Sequence, residues 1–240
     1  MEPASPALEG RSTASSPLVA HTRSHRLLPA GRPIVVALAI LGALSALVVI
    51  ANNWLLTLDN PLSDLARMGS IEDSARLVSK VGGTETALVV TAALVAAVWR
   101  RCRAAAIAIP ATLVVGAFLN VVLKEVIGRP RPSTPATETA LASFPSGHTF
   151  QATLLLGLVP LAVLLITQRH DLVRWARVAA IVGVVAVAAS RVMLGAHWPT
   201  DVIAGFLVGL ALLEVTHHLL DRRHRSERSC GCALVVAQPG

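Results

Sequence analysis

The sequence predicts an all-α protein, a polytopic membrane bundle of six transmembrane helices. Three observations point there. Of the 240 residues, 54% are hydrophobic and only 15% charged, whereas soluble domains carry about a quarter charged residues. Six segments come close to the ~20 apolar residues that cross a bilayer. Finally, Lys and Arg gather on alternate connections, as they do at the cytoplasmic ends of spans.

Residues 1–32 are rich in Ser, Pro, Ala and Arg without a helical or strand period, and read as a flexible cytoplasmic tail. The uncharged run that follows, Pro33 to Leu58, starts too late and runs too long for the apolar centre of a secretory signal. It supplies the first expected span, about 34–54. The others are expected at 81–99, 104–123, 149–168, 175–195 and 200–220, so that 33–220 form one six-span domain. The second carries Glu85 and the sixth Glu214, both near enough to a span end for interfacial placement. The fifth has 13 uncharged residues between Arg177 and Arg191. Residues 221–240 form a second basic tail.

With the N-terminus inside, fourteen of the 21 Lys and Arg fall on the cytoplasmic side. Both termini are therefore expected in the cytoplasm of a multi-pass cell-membrane protein. Trp54, Trp99, Trp175 and Trp198 each fall at an expected span end, where indole partitions. Cys102, Cys230 and Cys232 fall on the reducing side. The net charge of +7 is scattered between apolar runs rather than gathered on one face. It reads as a topology signal, and nucleic acid is not an expected partner; the expected surroundings are the bilayer and a membrane lipid substrate.

Some basic residues stand on the opposite side. Lys124, Arg129 and Arg131 follow the third span in KEVIGRPRP, and Arg191 lies near the outer end of the fifth. Any one of them can be read as snorkelling to headgroups, and Arg129 is read as a headgroup contact only. An arginine within a span is costly, by roughly 2.5–3.5 kcal/mol on insertion scales, so Arg191 points to a polar cavity. On the same face, FPSGH at 144–148 offers Ser146 as helix N-cap and Gly147 as a place for close approach, which together make an anion site at a helix N-terminus. Pro-Ser-Gly is also an ordinary turn, but His148 adds a titratable group one turn in. SRVMLGAHWPTD at 190–201 supplies His197 and, four residues on, Asp201, which can orient the imidazole. Three cations, two histidines and a carboxylate from three segments select a dense anion, phosphate above others. On this face no cluster has the ligand types of a metal site; Cys230 and Cys232, in a CGC pair on the other side, could bind a metal but read as part of an incidental tail, and neither metal nor cofactor is expected. Residue types alone point to phosphoryl transfer through a phosphohistidine.

Lys124 with six residues before Arg131-Pro132, then Pro145-Ser146-Gly147-His148, then Ser190-Arg191 with five residues before His197 and three before Asp201, resembles the type 2 phosphatidic acid phosphatase family. All three motifs match in order over 124–201. The family includes soluble acid phosphatases and vanadium haloperoxidases, but six spans resemble its bacterial membrane members. The resemblance implies that Lys124, Arg131 and Arg191 hold the phosphoryl oxygens with Ser146 and the Gly147 backbone. It implies His197 as nucleophile, Asp201 as its orienter, and His148 as the acid that protonates the leaving group and then activates water. The expected activity is hydrolysis of a lipid phosphate or polyprenyl diphosphate at the extracytoplasmic face. Two other readings stay open: a phosphotransferase using the same histidines, and a non-catalytic transporter or binder of anionic lipids. Sequence does not select among phosphatidic acid, phosphatidylglycerol phosphate and polyprenyl diphosphates, nor does it name protein partners.

Overall fold

A computed structural model describes residues 32–68, 72–132 and 142–227. The expected tails at 1–32 and 221–240, with Cys230 and Cys232, lie largely outside these residues. Seven α-helices and no strand are found among the described residues: α1 (Arg32–Met68), α2 (Glu72–Lys80), α3 (Thr84–Val98), α4 (Arg103–Ile127), α5 (Gly147–Thr167), α6 (His170–Met193) and α7 (Pro199–Glu227).

Helix α5 is the centre of the bundle. It packs against α3, α4, α6 and α7. Phe150, Leu154, Leu158 and Leu165 on α5 share a core with Val98 of α3, Ile109 of α4 and Val208 and Leu213 of α7. Outward-facing positions are equally apolar: Val114 and Phe118 on α4, and Ile181, Val182 and Val185 on α6, are exposed. Side chains of this kind on both faces of a helix need lipid outside, because water would leave that surface unpaired. Lipid in turn gives helices little hydrophobic reason to associate, so close backbone contact must do it. At Gly205 of α7, an added Cβ would stand 2.6 Å from the Ser146 carbonyl oxygen at the head of α5. Only glycine permits that approach.

Among the described residues, four helices, α4 to α7, are long and apolar enough to cross a membrane, and α2 with α3, bent by 41°, form a fifth candidate. The chain is thus built as a multi-pass membrane protein. The expected first span falls inside α1, which is not among these candidates. Helix α1 continues well past 54, with a break in helical geometry at Ala51 (φ −118°, ψ 25°) and Pro61 inside its second half. The apolar run does end near Leu58, but the helix does not: Asp59, the next residue, is buried and bonded to Arg129 and Thr200. Helix α2 had no counterpart among the expected spans: it is short and polar, and so has no hydropathy signal.

Connections alternate ends, so the C-termini of α4 and α6 meet the N-termini of α5 and α7. Gly128 ends α4 in the left-handed region (φ 61°), where its N–H is donated to the Lys124 carbonyl. A cis peptide joins Phe144 to Pro145 just before α5.

Candidate active site

The three sequence segments converge on one cavity at this end of the bundle, with a volume of about 340 Å³. Lys124, Arg131, Gly147, His148, Arg191 and His197 all line it, together with Asn120, Gln151 and Thr84. Lys124 stands in the last turn of α4, and its Nζ donates to the carbonyls of Ala142 (2.7 Å) and Ser143 (3.4 Å). Those two carbonyls sit just ahead of α5, so the lysine ties the two helix ends together while lining the cavity. Arg191, in the last turn of α6, donates from Nη1 to Ser79 Oγ of α2 at 2.6 Å. Its Nε is buried with no hydrogen-bond partner. Arg131 donates from Nη1 to the Ala196 carbonyl at 2.8 Å and lies 3.4 Å from His197 Nε2. Burial lowers the Arg131 pKa from its ordinary value.

His197 occupies the short connector before α7 and is 2% exposed. Its Nδ1 is 3.7 Å from Asp201 Oδ2, an ion-pair separation without a hydrogen bond. Burial, foremost, pushes the imidazole down to about 4, with Arg191 and Arg131 acting in the same sense and Asp201 opposing them. The ring is therefore neutral across the ordinary pH range, with Nε2 turned toward the cavity cations. A neutral ring nitrogen is what a nucleophile requires.

Ser146 is the N-cap of α5, as expected, but its hydroxyl meets the Thr149 hydroxyl (3.1 Å) instead of capping a backbone N–H. Its own N–H is donated to the Asp201 carbonyl at 3.0 Å. Ser146 and Asp201 stand one layer behind the cavity, both at 0% exposure. Asp201 Oδ2 also accepts the Trp198 N–H at 3.0 Å. Among the described residues, no group of three His, Cys, Asp or Glu side chains is placed to hold a metal ion.

Arg129 differs most from expectation. It is not a headgroup contact but a buried hub, 2% exposed. Its Nη1 donates to Asp201 Oδ1 (2.6 Å) and Thr200 Oγ1 (2.7 Å), its Nη2 to Asp59 Oδ2 (2.8 Å) and its Nε to Asn52 Oδ1 (2.9 Å). Four of its five N–H donors are thus taken by protein, and burial keeps the guanidinium away from a lipid headgroup. Asp59 and Asn52, both on α1, were missed in the sequence. The available signal was an aspartate closing a long apolar run, which reads equally well as a span end.

The sequence matches the PAP2 superfamily over residues 105–225. Phosphatidylglycerophosphatase B of Bacillus subtilis (strain 168) is 41% identical over 99 residues, 40% of this chain and 48% of the relative. An undecaprenyl-diphosphatase of Sulfolobus acidocaldarius is 33% identical over 139 residues, 55% of this chain and 62% of the relative. Lipid A 1-phosphatase of Rhizobium etli is 37% identical over 109 residues, covering 41% and 43%. The chain thus spans less than two thirds of the length of each of these curated relatives. In structure, it is similar to a transmembrane PAP2-type phosphatidylglycerolphosphate phosphatase from Bacillus subtilis, with a TM-score of 0.73, 23% identity, and coverage of 79% of this chain and 96% of the other. That likeness establishes the shared fold.

Proposed function

The chain belongs to the PAP2 superfamily, and from that premise we propose that it is an integral membrane phosphatase, hydrolysing a lipid phosphate or polyprenyl diphosphate at the extracytoplasmic face through a phosphohistidine. One observation carries the reading: three cations and two histidines from segments far apart in sequence line a single cavity set among lipid-facing helices. The substrate class follows from that setting, and relatives named for phosphatidylglycerophosphate, undecaprenyl diphosphate and lipid A support it. Orientation rests on the positive-inside distribution of Lys and Arg, which also favours six spans with α1 as the first.

Lys124, Arg131 and Arg191 bind the phosphoryl oxygens, with the N–H groups at the head of α5, which the Ser146 hydroxyl leaves uncapped. Held in this way, the phosphorus faces Nε2 of neutral His197. The Nε2 lone pair forms a P–N bond as the P–O bond to the leaving group breaks. His148 gives its proton to the departing oxygen. The three cations meet the charge that spreads over the equatorial oxygens in the transition state. In the second half-reaction His148 takes a proton from water, the water oxygen bonds to phosphorus, and the P–N bond breaks. Inorganic phosphate leaves, and His197 returns to its neutral state with its Nδ1 facing the Asp201 carboxylate.

The test is phosphate release by the protein purified in detergent with EDTA present. The panel is phosphatidic acid, phosphatidylglycerol phosphate, a polyprenyl diphosphate and a soluble phosphate ester, each also given to His197→Ala. Release from at least one lipid, lost in the variant, is expected. A folded preparation that releases phosphate from none of them would contradict hydrolysis.

A further inference from the structure

Asp59 lies in the part of α1 beyond the Ala51 break, 70 positions from Arg129 and 141 from Thr200, and is bonded to both. Its Oδ1 accepts the Thr200 N–H at 3.0 Å, and its Oδ2 accepts Thr200 Oγ1 at 2.6 Å and Arg129 Nη2 at 2.8 Å. The side chains of Arg129, Asp59 and Asp201 are all at most 1% exposed. One guanidinium therefore serves two carboxylates, away from water, and the three together carry one negative charge.

A buried aspartate paired only with arginine is electrically spent. Its field at a neighbouring imidazole is largely cancelled, and in a medium of low dielectric that cancellation matters. A second carboxylate on the same guanidinium undoes it. We propose that Asp59, acting through Arg129, is a positioning residue for His197: it takes up the guanidinium charge, so that Asp201 remains a net anion for the imidazole. This rests on the phosphohistidine reading above. The remaining charged or titratable groups around His197 are Lys124 of α4, Arg131 of the α4–α5 connection, His148 of α5 and Arg191 of α6. None is an acid. The excess negative charge on the Asp201 side is thus the counterweight to the positive ring of the phosphorylated histidine. Asp59 also holds Thr200 in the first turn of α7, and so fixes the helix that bears Asp201.

The test compares wild type, Asp59→Asn, Arg129→Gln and the double variant in detergent, reading kcat, KM and the pH profile of phosphate release. Asparagine keeps the shape and removes the charge, and it trades one of the two accepting oxygens for an N–H donor. Asp59→Asn is expected to lower kcat about ten- to a hundredfold, the range of coupling between contacting charged residues. KM is expected to hold, because neither Asp59 nor Arg129 lines the cavity. The acid limb of the profile is expected to move to lower pH, because a neutral Asp59 leaves less negative charge to retain the imidazolium proton. The double variant restores the single negative charge on Asp201, and its kcat is expected to exceed that of either single variant.

A purely structural role gives the opposite: the double variant at least as impaired as the worse single, with the acid limb unmoved. That result overturns the proposal, as does an Asp59→Asn enzyme of wild-type kcat. Where Asp59→Asn does not fold, Asp59→Ser makes the same predictions with a smaller neutral group. An inactive wild type would contradict the phosphatase reading itself, and is distinguished by the absence of any rate to compare.

Discussion

His148 and His197 share one cavity but differ in burial, and their roles separate in experiment. His148 donates a proton only where the leaving oxygen needs one. His148→Ala should therefore lose roughly 10²–10⁴-fold on alkyl phosphate monoesters, and much less on an aryl phosphate whose leaving group departs as the anion. A parallel series of kcat/KM values across leaving-group acidity checks this; equal losses on both would remove His148 from the acid role. The His197 imidazole, depressed to about 4, makes a second prediction. Above about 6.5 the ring is neutral in folded and unfolded chains alike, and contributes nothing to pH dependence. As pH falls from there toward 4, the unfolded chain gains the proton first, and the folded state loses stability. The unfolding temperature should drop over that window, and His197→Gln should flatten the drop. An identical slope in the variant would show that other groups carry it.

At the scale of elements, glycine contacts set how closely α7 meets α5. Gly205→Ala would drive a Cβ against the Ser146 carbonyl, which must shift the head of α5. Overpacking of this kind costs about 1–3 kcal/mol and should lower kcat as well, since His148 starts the same helix. Gly42→Ala on α1, with nothing within 4 Å of the new Cβ, should instead stabilise by up to about 1 kcal/mol. Thermal unfolding of the two variants in the same detergent separates the cases. The elements around the site were legible because hydrophobic length and Gly-Pro punctuation mark α4 to α7 directly. Helix α1 was legible only to its break: Asp59 and Pro61 look like a stop, and nothing local says that Arg129 will accept that aspartate. Arg129 itself was misread for the same reason. Burial of a charge is decided by its partners, and its two carboxylates lie 70 and 72 positions away. That Lys124, Arg131, His148, Arg191 and His197, all five lining the cavity, belong to one cluster was readable, because residue types and spacing group them before any contact is known. The hydroxyl of Ser146, turned toward Thr149, was not.

Across the whole molecule, the alternation of helix ends gathers the cavity-lining residues at one end of the bundle, and the proposal that this end is extracytoplasmic rests on the distribution of Lys and Arg. A version with Cys102, Cys230 and Cys232 replaced by Ser makes this testable. Glu125→Cys, exposed at the cavity end of α4, should react with an impermeant maleimide in intact cells. Gln168→Cys, exposed at the far end of α5, should react only after the membrane is opened. The reverse pattern would place the cavity in the cytoplasm. The central claim, however, is chemical: phosphate passes through a bond to His197. The most direct measurement is trapping of that bond. His148→Ala would be mixed with a polyprenyl diphosphate labelled in its terminal phosphate, whose leaving group needs little acid assistance, and quenched in alkali. The account predicts label on the chain, at up to one phosphate per molecule, stable to base and lost in acid, and absent when His197→Ala is added. Label that survives His197→Ala, or turnover without any labelled chain, would contradict it.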